Sequence, residues 1–285
     1  MSARKRFDQT VAIDWSGAKG SRHKGIAVAR MERGHAPALV RPRHVWSRSE
    51  VLDWLRREAC RAPTLFGFDF SFAPPLVERG SYLPGENVPA GAKAFWAYVD
   101  RLVEDADLGA ASFLEEKHRR HFYFGKEDGE KAAYMWFRET EKRLNAQGGG
   151  KAATVYDAIG AAQVAKASFA GMRLLHRLDG QLPVWPFDPL PAKGSAVVEI
   201  YGRLYLQRAG GRGTKVRDAD MLDAALKALG SPPARLGRDP SDHESDALVT
   251  AAGMMHVLAT EAEPFAPEAL TPEIARTEGW TFGVF

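Results

Sequence analysis

Strand-forming runs lie towards both ends of this chain and are nearly absent from the roughly 120 residues between them. Apolar, β-rich stretches occupy 10–14, 25–31, 38–46 and 64–70, and strand character returns only at 195–206. The first two flank a short loop containing Gly17 and Gly20, which reads as a hairpin connection. Ser47 or Ser49 can cap a helix running to about residue 59, with Val51, Leu52 and Leu55 on one face. Ala73-Pro74-Pro75 limits the strand over 64–70, because proline cannot continue a ladder. Between 76 and 191 the periodicity is helical, over 92–107, 131–145 and 158–178, with linkers at Gly148-Gly149-Gly150 and 183–191. Helices over 218–229 and 240–259 follow the last strand, and a tail over 264–285 with scattered aromatics is expected to pack across the core. The chain therefore reads as α/β, ordered β-β-β-α-β, then a helical block, then β-α-α.

Composition narrows the class. With 45% hydrophobic and 26% charged residues over 285 positions, the chain is neither disordered nor fibrous. No apolar run approaches the length of about 18 residues that a membrane-spanning helix needs. The basic N-terminus is followed by only five mostly apolar residues, too few for a secretory signal, so a cytoplasmic protein is expected. Cys60 is the single cysteine and cannot form an internal disulfide or build a zinc site by itself. The net charge of +3 is unevenly spread, since residues 1–60 carry 13 Lys and Arg against 6 Asp and Glu. A basic half facing acidic pockets suits an enzyme that holds cations and meets a polyanion.

The chemistry-bearing feature is a set of carboxylates at the ends of apolar strands. Asp14 closes Val11-Ala12-Ile13-Asp14, Asp69 closes Leu65-Phe66-Gly67-Phe68-Asp69, and Glu199 lies in Ala196-Val197-Val198-Glu199-Ile200. A buried carboxylate costs several kcal/mol unless it is paired or bound to metal, so three in equivalent settings point to a shared site. The final helix opens with Ser241-Asp242-His243-Glu244-Ser245-Asp246-Ala247-Leu248. His243 and Asp246 share a helix face, and the apolar residues that follow would dock on the sheet and aim that face at the strand ends. Asp242 and Glu244 are accounted for by capping and helix-dipole complementarity. Hard oxygen donors with one imidazole and no cysteine pair indicate Mg²⁺ or Mn²⁺. Two such ions ~3.5–4 Å apart can activate water and stabilise the leaving oxygen of a phosphodiester.

Asp14 before a hairpin, Asp69 after the first helix, and His243-x-x-Asp246-Ala247-Leu248 in the last helix resemble the RNase H-like nuclease superfamily. Within it the chain is similar to RuvC-type resolvases and, through Gly67-Phe68-Asp69, Val198-Glu199-Ile200-Tyr201 and Val184-Trp185-Pro186-Phe187, to an uncharacterised family of predicted RNase H-like nucleases. The likeness covers 10–75 and 195–260. It departs at Gly202, where proline is expected, and in the final helix, where His243 rather than Asp242 takes the penultimate ligand position. The resemblance implies an RNase H-like mixed sheet core with a large helical insertion. Residues 1–75 would form the first half of the core, 76–194 the insertion, 195–262 the second half, and 263–285 a packing tail. It further implies a two-metal nuclease in which Asp14 bridges the metals and Asp69 and Asp246 are ligands. His243 would be a ligand or proton-transfer group, and Glu199 an additional or outer ligand.

Nucleic acid is then the expected partner, with no membrane and with a homo-oligomer left open. Lys19, Arg22 and Lys24 in the first loop are candidate phosphate contacts. So are Arg208, Arg212 and Lys215 in the glycine-rich segment 208–217, which could follow a backbone. The aromatic-basic run His118-Arg119-Arg120-His121-Phe122-Tyr123-Phe124 could stack bases, although packing at a helix end explains it more simply. Gly150-Lys151 is no phosphate loop, because Asn145 and Ala152 stand where that pattern needs glycine and Ser or Thr. Two other readings stay open: a sugar-kinase-like ATPase, which usually carries two β-β-β-α-β units, and a nucleic-acid binder that does not cleave.

Overall fold

Alternation along the strands decides which face of the sheet each helix covers. The computed structural model describes residues 6–148, 152–159, 164–211 and 215–285. Five strands, β1 (Gln9–Asp14), β2 (Ala27–Glu32), β3 (Ala38–Leu39), β4 (Thr64–Phe68) and β5 (Ala196–Glu199), form one mixed sheet in the order β3-β2-β1-β4-β5. β1, β2 and β3 pair antiparallel, whereas β4 runs parallel to β1, and β5 parallel to β4. Val11, Ile13, Phe66, Phe68 and Val197 point to one apolar layer, and Ala12, Leu65, Ala196 and Val198 to the other. Parallel strands buried on both faces need helices on both sides.

The first layer is closed by α1 (Arg48–Ala59), α2 (Ala92–Leu102) and α4 (Val164–Leu178), so the helical block shares a core with the sheet. The second is closed by α5 (Gly202–Arg208), α6 (Ala219–Ala228), α7 (Asp242–Thr260) and the tail helix α8 (Pro272–Thr277). Ser47 caps α1 by accepting from the Glu50 amide, as its sequence suggests. In α7 Ser241 and Glu244 form a reciprocal capping box. Thr10 Oγ1 donates to the Ala251 carbonyl at 2.8 Å and ties α7 to β1. Two glycines let the layers close. A Cβ on Gly67 would meet Ile200 Cγ2 at 2.6 Å and Met254 Sδ at 2.8 Å, and one on Gly253 would meet the Tyr205 ring at 2.3 Å.

Several expected elements differ. Strand pairing over 38–46 stops at Leu39, because Arg41 and Arg43 take positive φ values of 52° and 65° around Pro42; Trp46 then makes one bridge to His23. The strand over 195–206 ends at Glu199 and the rest is α5. An apolar run such as Leu204-Tyr205-Leu206 fits strand or buried helix alike. The Tyr205 hydroxyl donates to the Phe282 carbonyl at 2.6 Å and fixes that helix. The helix over 131–145 is a single turn, Lys131–Tyr134, then α3 (Glu139–Ala146), with Arg138 extended between them. The helix over 92–107 stops at Leu102. Gly149, Gly150, Lys151 and the start of the helix over 158–178 include positions outside the described residues. The tail packs as expected, burying Trp280, Phe282 and Val284, and the Phe282 amide donates to the Glu199 carbonyl at 2.8 Å. Among the described residues no helix is long and apolar enough to cross a membrane.

Candidate active site

Parallel pairing sets Asp14 beside Asp69. The Asp69 amide donates to the Ile13 carbonyl at 3.1 Å, extending the β1–β4 ladder by one bond past Phe68. At the same edge the Ile200 amide donates to the Phe68 carbonyl at 3.0 Å, after which the chain turns into α5. α7 enters with its first turns over this edge, because its apolar residues from Ala247 onward lie on the sheet. His243 Nδ1 stands 2.6 Å from Asp14 Oδ2. Asp14, Asp69, His243 and Asp246 thus open into one cavity of about 630 Å³, whose wall also includes the buried Glu199 and Arg138.

The electrostatics of the four are coupled. Burial pushes Asp14 up, partly offset by the hydrogen bond and charge of His243. Asp69 is raised well above the carboxylate range by burial first, then by the charges of Asp14 and Asp246, while the Gly202 amide pulls the other way. Asp246 is pushed up to about 7 by burial and by Asp14. His243 is raised, chiefly by its hydrogen bond to Asp14. Shared repulsion of this kind marks carboxylates with too little positive charge around them. Gly202 has a role here that proline could not fill, since proline has no N–H to donate.

Glu199, expected as a metal ligand, is taken up otherwise. Arg138 NH1 and NH2 donate to its two oxygens at 2.7 and 2.6 Å, the Phe72 amide at 2.7 Å and Thr281 Oγ1 at 2.7 Å. With both oxygens saturated, Glu199 anchors the sheet edge to α3 and the tail. Arg138 also donates to Glu141 Oε1 from Nε at 3.0 Å and from NH2 at 2.8 Å. Neither Arg138 nor Glu141 was foreseen. Their segment reads as the polar face of a helix, and the partner that draws Arg138 inward lies at 199.

The basic candidates are dispersed. Lys19 pairs with Glu115, Arg22 with Glu50, and Arg208 with Glu261 and the Gly283 carbonyl. Lys215 pairs with Asp242 at the rim of the cavity, so Asp242 serves there rather than as the cap. Arg212 lies outside the described residues. Lys24 is exposed and lines a second groove, of about 410 Å³, with Arg41, Arg43, Arg238 and His243. Phe122 and Tyr123 are buried, which makes packing the role of that aromatic run.

Asp14, Asp69 and Asp246 line one cavity without bringing three ligand atoms within 4.8 Å of one another. Among the described residues, the group of three whose ligand atoms all lie within 4.8 Å of one another, and which could hold a metal ion, is Glu86, His118 and His121. No protein-family model, curated protein or solved structure matches this chain.

Proposed function

We propose that this protein is a metal-dependent nuclease of RNase H-like architecture that hydrolyses phosphodiester bonds in nucleic acid. The observation that carries the reading is that Asp14, Asp69 and Asp246 line one open cavity with His243 at its mouth, all three raised by burial and the latter two also by the charge of Asp14. The mixed sheet supports it, with an antiparallel β1–β2–β3 unit followed by parallel β4 and β5 and an inserted helical block. Carboxylate donors without thiolates fit Mg²⁺ or Mn²⁺, and Asp14, Asp69 and Asp246 are the residues that would hold them. Bound there, such ions supply an activated water and neutralise charge on the leaving oxygen.

The chain's own groups then have separate tasks. Asp14 orients His243 through Nδ1, which leaves Nε2 to carry a proton to the departing oxygen. Arg138 holds Glu199 and Glu141 away from the cations, so the ligand set stays with the aspartates. The groove beside His243 offers Lys24 and Arg43 to a phosphate backbone, with Arg41 and Arg238 already engaged by Glu50 and Glu244. The ATPase reading is weakened because the described residues contain one β-β-β-α-β unit in one five-stranded sheet.

The test is a cleavage screen over single-stranded, duplex and branched DNA and RNA, with Mg²⁺ or Mn²⁺ and with excess chelator. Cleavage should require metal and should be lost in Asp14→Asn and Asp246→Asn. Undiminished cleavage in chelator, or in both variants, overturns the reading. Binding of these nucleic acids without any metal-dependent cleavage would favour the binding-module reading instead.

A further inference from the structure

A second cluster lies in the helical block and touches none of the cavity around Asp14. Glu86 sits in the loop after β4, His118 immediately precedes a single helical turn over Arg119–His121, and His121 ends it. We propose that His118 Nδ1, His121 Nε2 and a Glu86 carboxylate oxygen form a Zn²⁺ site.

The ring of His118 is nine-tenths buried, at 6% exposure, and its Nδ1 has no hydrogen-bond partner. That nitrogen faces Glu86 Oε1 at 4.0 Å. The other side of the ring is fixed, with Nε2 at 3.0 Å from the Tyr98 hydroxyl and the Phe113 ring centroid 4.6 Å away. An imidazole whose Nε2–H donates to Tyr98 keeps the Nδ1 lone pair free, which is how an outer partner orients a metal-binding histidine. His121 is buried to 8% exposure, and its Nε2 lies 3.3 Å from the same Glu86 oxygen. Arg120 Nε also donates to that nitrogen at 3.3 Å, so the Nε2 lone pair becomes available to a cation once Arg120 turns away.

Two imidazoles and a carboxylate form a donor set suited to zinc, with a fourth position for water. Zinc bonds of ~2.0–2.2 Å in a tetrahedron hold ligand atoms about 3.4 Å apart. Closing from the present separations therefore takes movements of about 1 Å, and the groups that must move are the accessible ones. Glu86 is 29% exposed, and Arg120, which now neutralises it at 2.7 Å, is 63% exposed and can turn out to solvent as the cation replaces it. The hard ions expected at the aspartates have little preference for this imidazole pair. A filled site would pin the loop at Glu86 to the 118–121 turn and, through Tyr98, to α2.

The experiment titrates the full metal-free chain with Zn²⁺ alone against a chromophoric chelator, and repeats the titration with Co²⁺ to read visible absorption. Wild type should bind one equivalent that Glu86→Gln and His121→Gln each weaken by about 10-fold or more. Asp14→Asn should retain that equivalent, which separates this site from the cavity and its fate from that of the nuclease reading. Should His121→Gln fail to fold, Glu86→Gln decides, because its side chain is partly exposed. Equal Zn²⁺ affinity and stoichiometry in wild type and Glu86→Gln, or the absence of Zn²⁺ binding to wild type, overturns the proposal.

Discussion

Two walls of one cavity handle buried carboxylates in opposite ways. On one, Glu141 and Glu199 face a guanidinium that donates to both, and Glu199 also receives the Phe72 amide and the Thr281 hydroxyl. On the other, Asp14 has the half-exposed His243, Asp69 has a backbone amide, and Asp246 has distant charges only. Both walls pay for desolvation, yet only the first contains its own fixed counter-charge. The first wall therefore holds tertiary structure together, joining β5, α3 and the tail. The second carries negative charge that an external cation can neutralise, and this difference separates scaffold from chemistry better than burial does.

The largest effect should come from breaking the compensated wall. Arg138→Met keeps much of the side-chain volume but strands Glu141 and Glu199 without their cation, and also frees the Glu278 carbonyl that Arg138 bonds at 2.9 Å. Removing one partner of a buried pair costs roughly 3–5 kcal/mol, which chemical denaturation reads directly. A loss below about 1 kcal/mol would mean that this wall is solvated and that the two walls do not differ in this way.

The uncompensated wall should show itself in pH dependence. Asp246 is raised from 3.8 to about 7, so between those values the metal-free folded state holds a proton that the unfolded chain has released. Stability from this group is complete below pH ~4 and lost as pH rises towards and through 7. Asp14, raised, and His243, raised, push in the same direction; Asp242 and Lys215 at the rim act on Asp246 with opposite signs. Carboxylates elsewhere with lowered values, such as Glu244 at about 2, slope the other way, so the informative quantity is wild type minus Asp246→Asn. In chelator that difference should change by on the order of 2 kcal/mol between pH 4 and 7.5, since water reaches part of the side chain. A flat difference would place Asp246 in an ordinary solvated setting.

How much of this was legible follows the range of the interactions. Asp14 and Asp69 stand out because a carboxylate closing a run of apolar strand residues is a local signal, and His243 with Asp246 because three positions on a helix share a face. The docking of α7 was legible for the same reason, through its apolar face from Ala247. Arg138 was not, because its partner lies 61 residues further on and its own neighbourhood reads as a solvated helix. The engagement of Glu199 was missed through that omission: a buried glutamate looks like a direct ligand until its arginine is found. Glu86 lies 32 residues before His118 in a loop without periodicity, which hid the triad although the two histidines were noted. The basic residues show the limit of charge counting, since sequence reveals which chains are cationic and not that Lys19, Arg22 and Arg208 are already paired.

The smallest expected effect is the most selective. Asp69→Asn keeps the size of the side chain and its capacity to accept from the Gly202 amide, but removes a carboxyl that burial and the charges of Asp14 and Asp246 make costly to ionise. Asp69 is preferable to Asp14 for this purpose, because Asp14→Asn also breaks the 2.6 Å contact with His243 and mixes a gain with a loss. In chelator Asp69→Asn should melt at or above wild type, by ~1 kcal/mol, a normal size for one substitution. Mg²⁺ should then stabilise wild type by binding the folded state preferentially, and stabilise the variant much less. Mg²⁺ rather than Zn²⁺ is the right probe, because a hard ion favours the oxygen donors of the cavity over the imidazoles at Glu86. The opposite pattern, with the variant less stable in chelator and both proteins shifted equally by Mg²⁺, would place Asp69 with Glu199 among the carboxylates that the protein satisfies internally. The two walls would then be alike, and the cavity would lose its claim to hold cations.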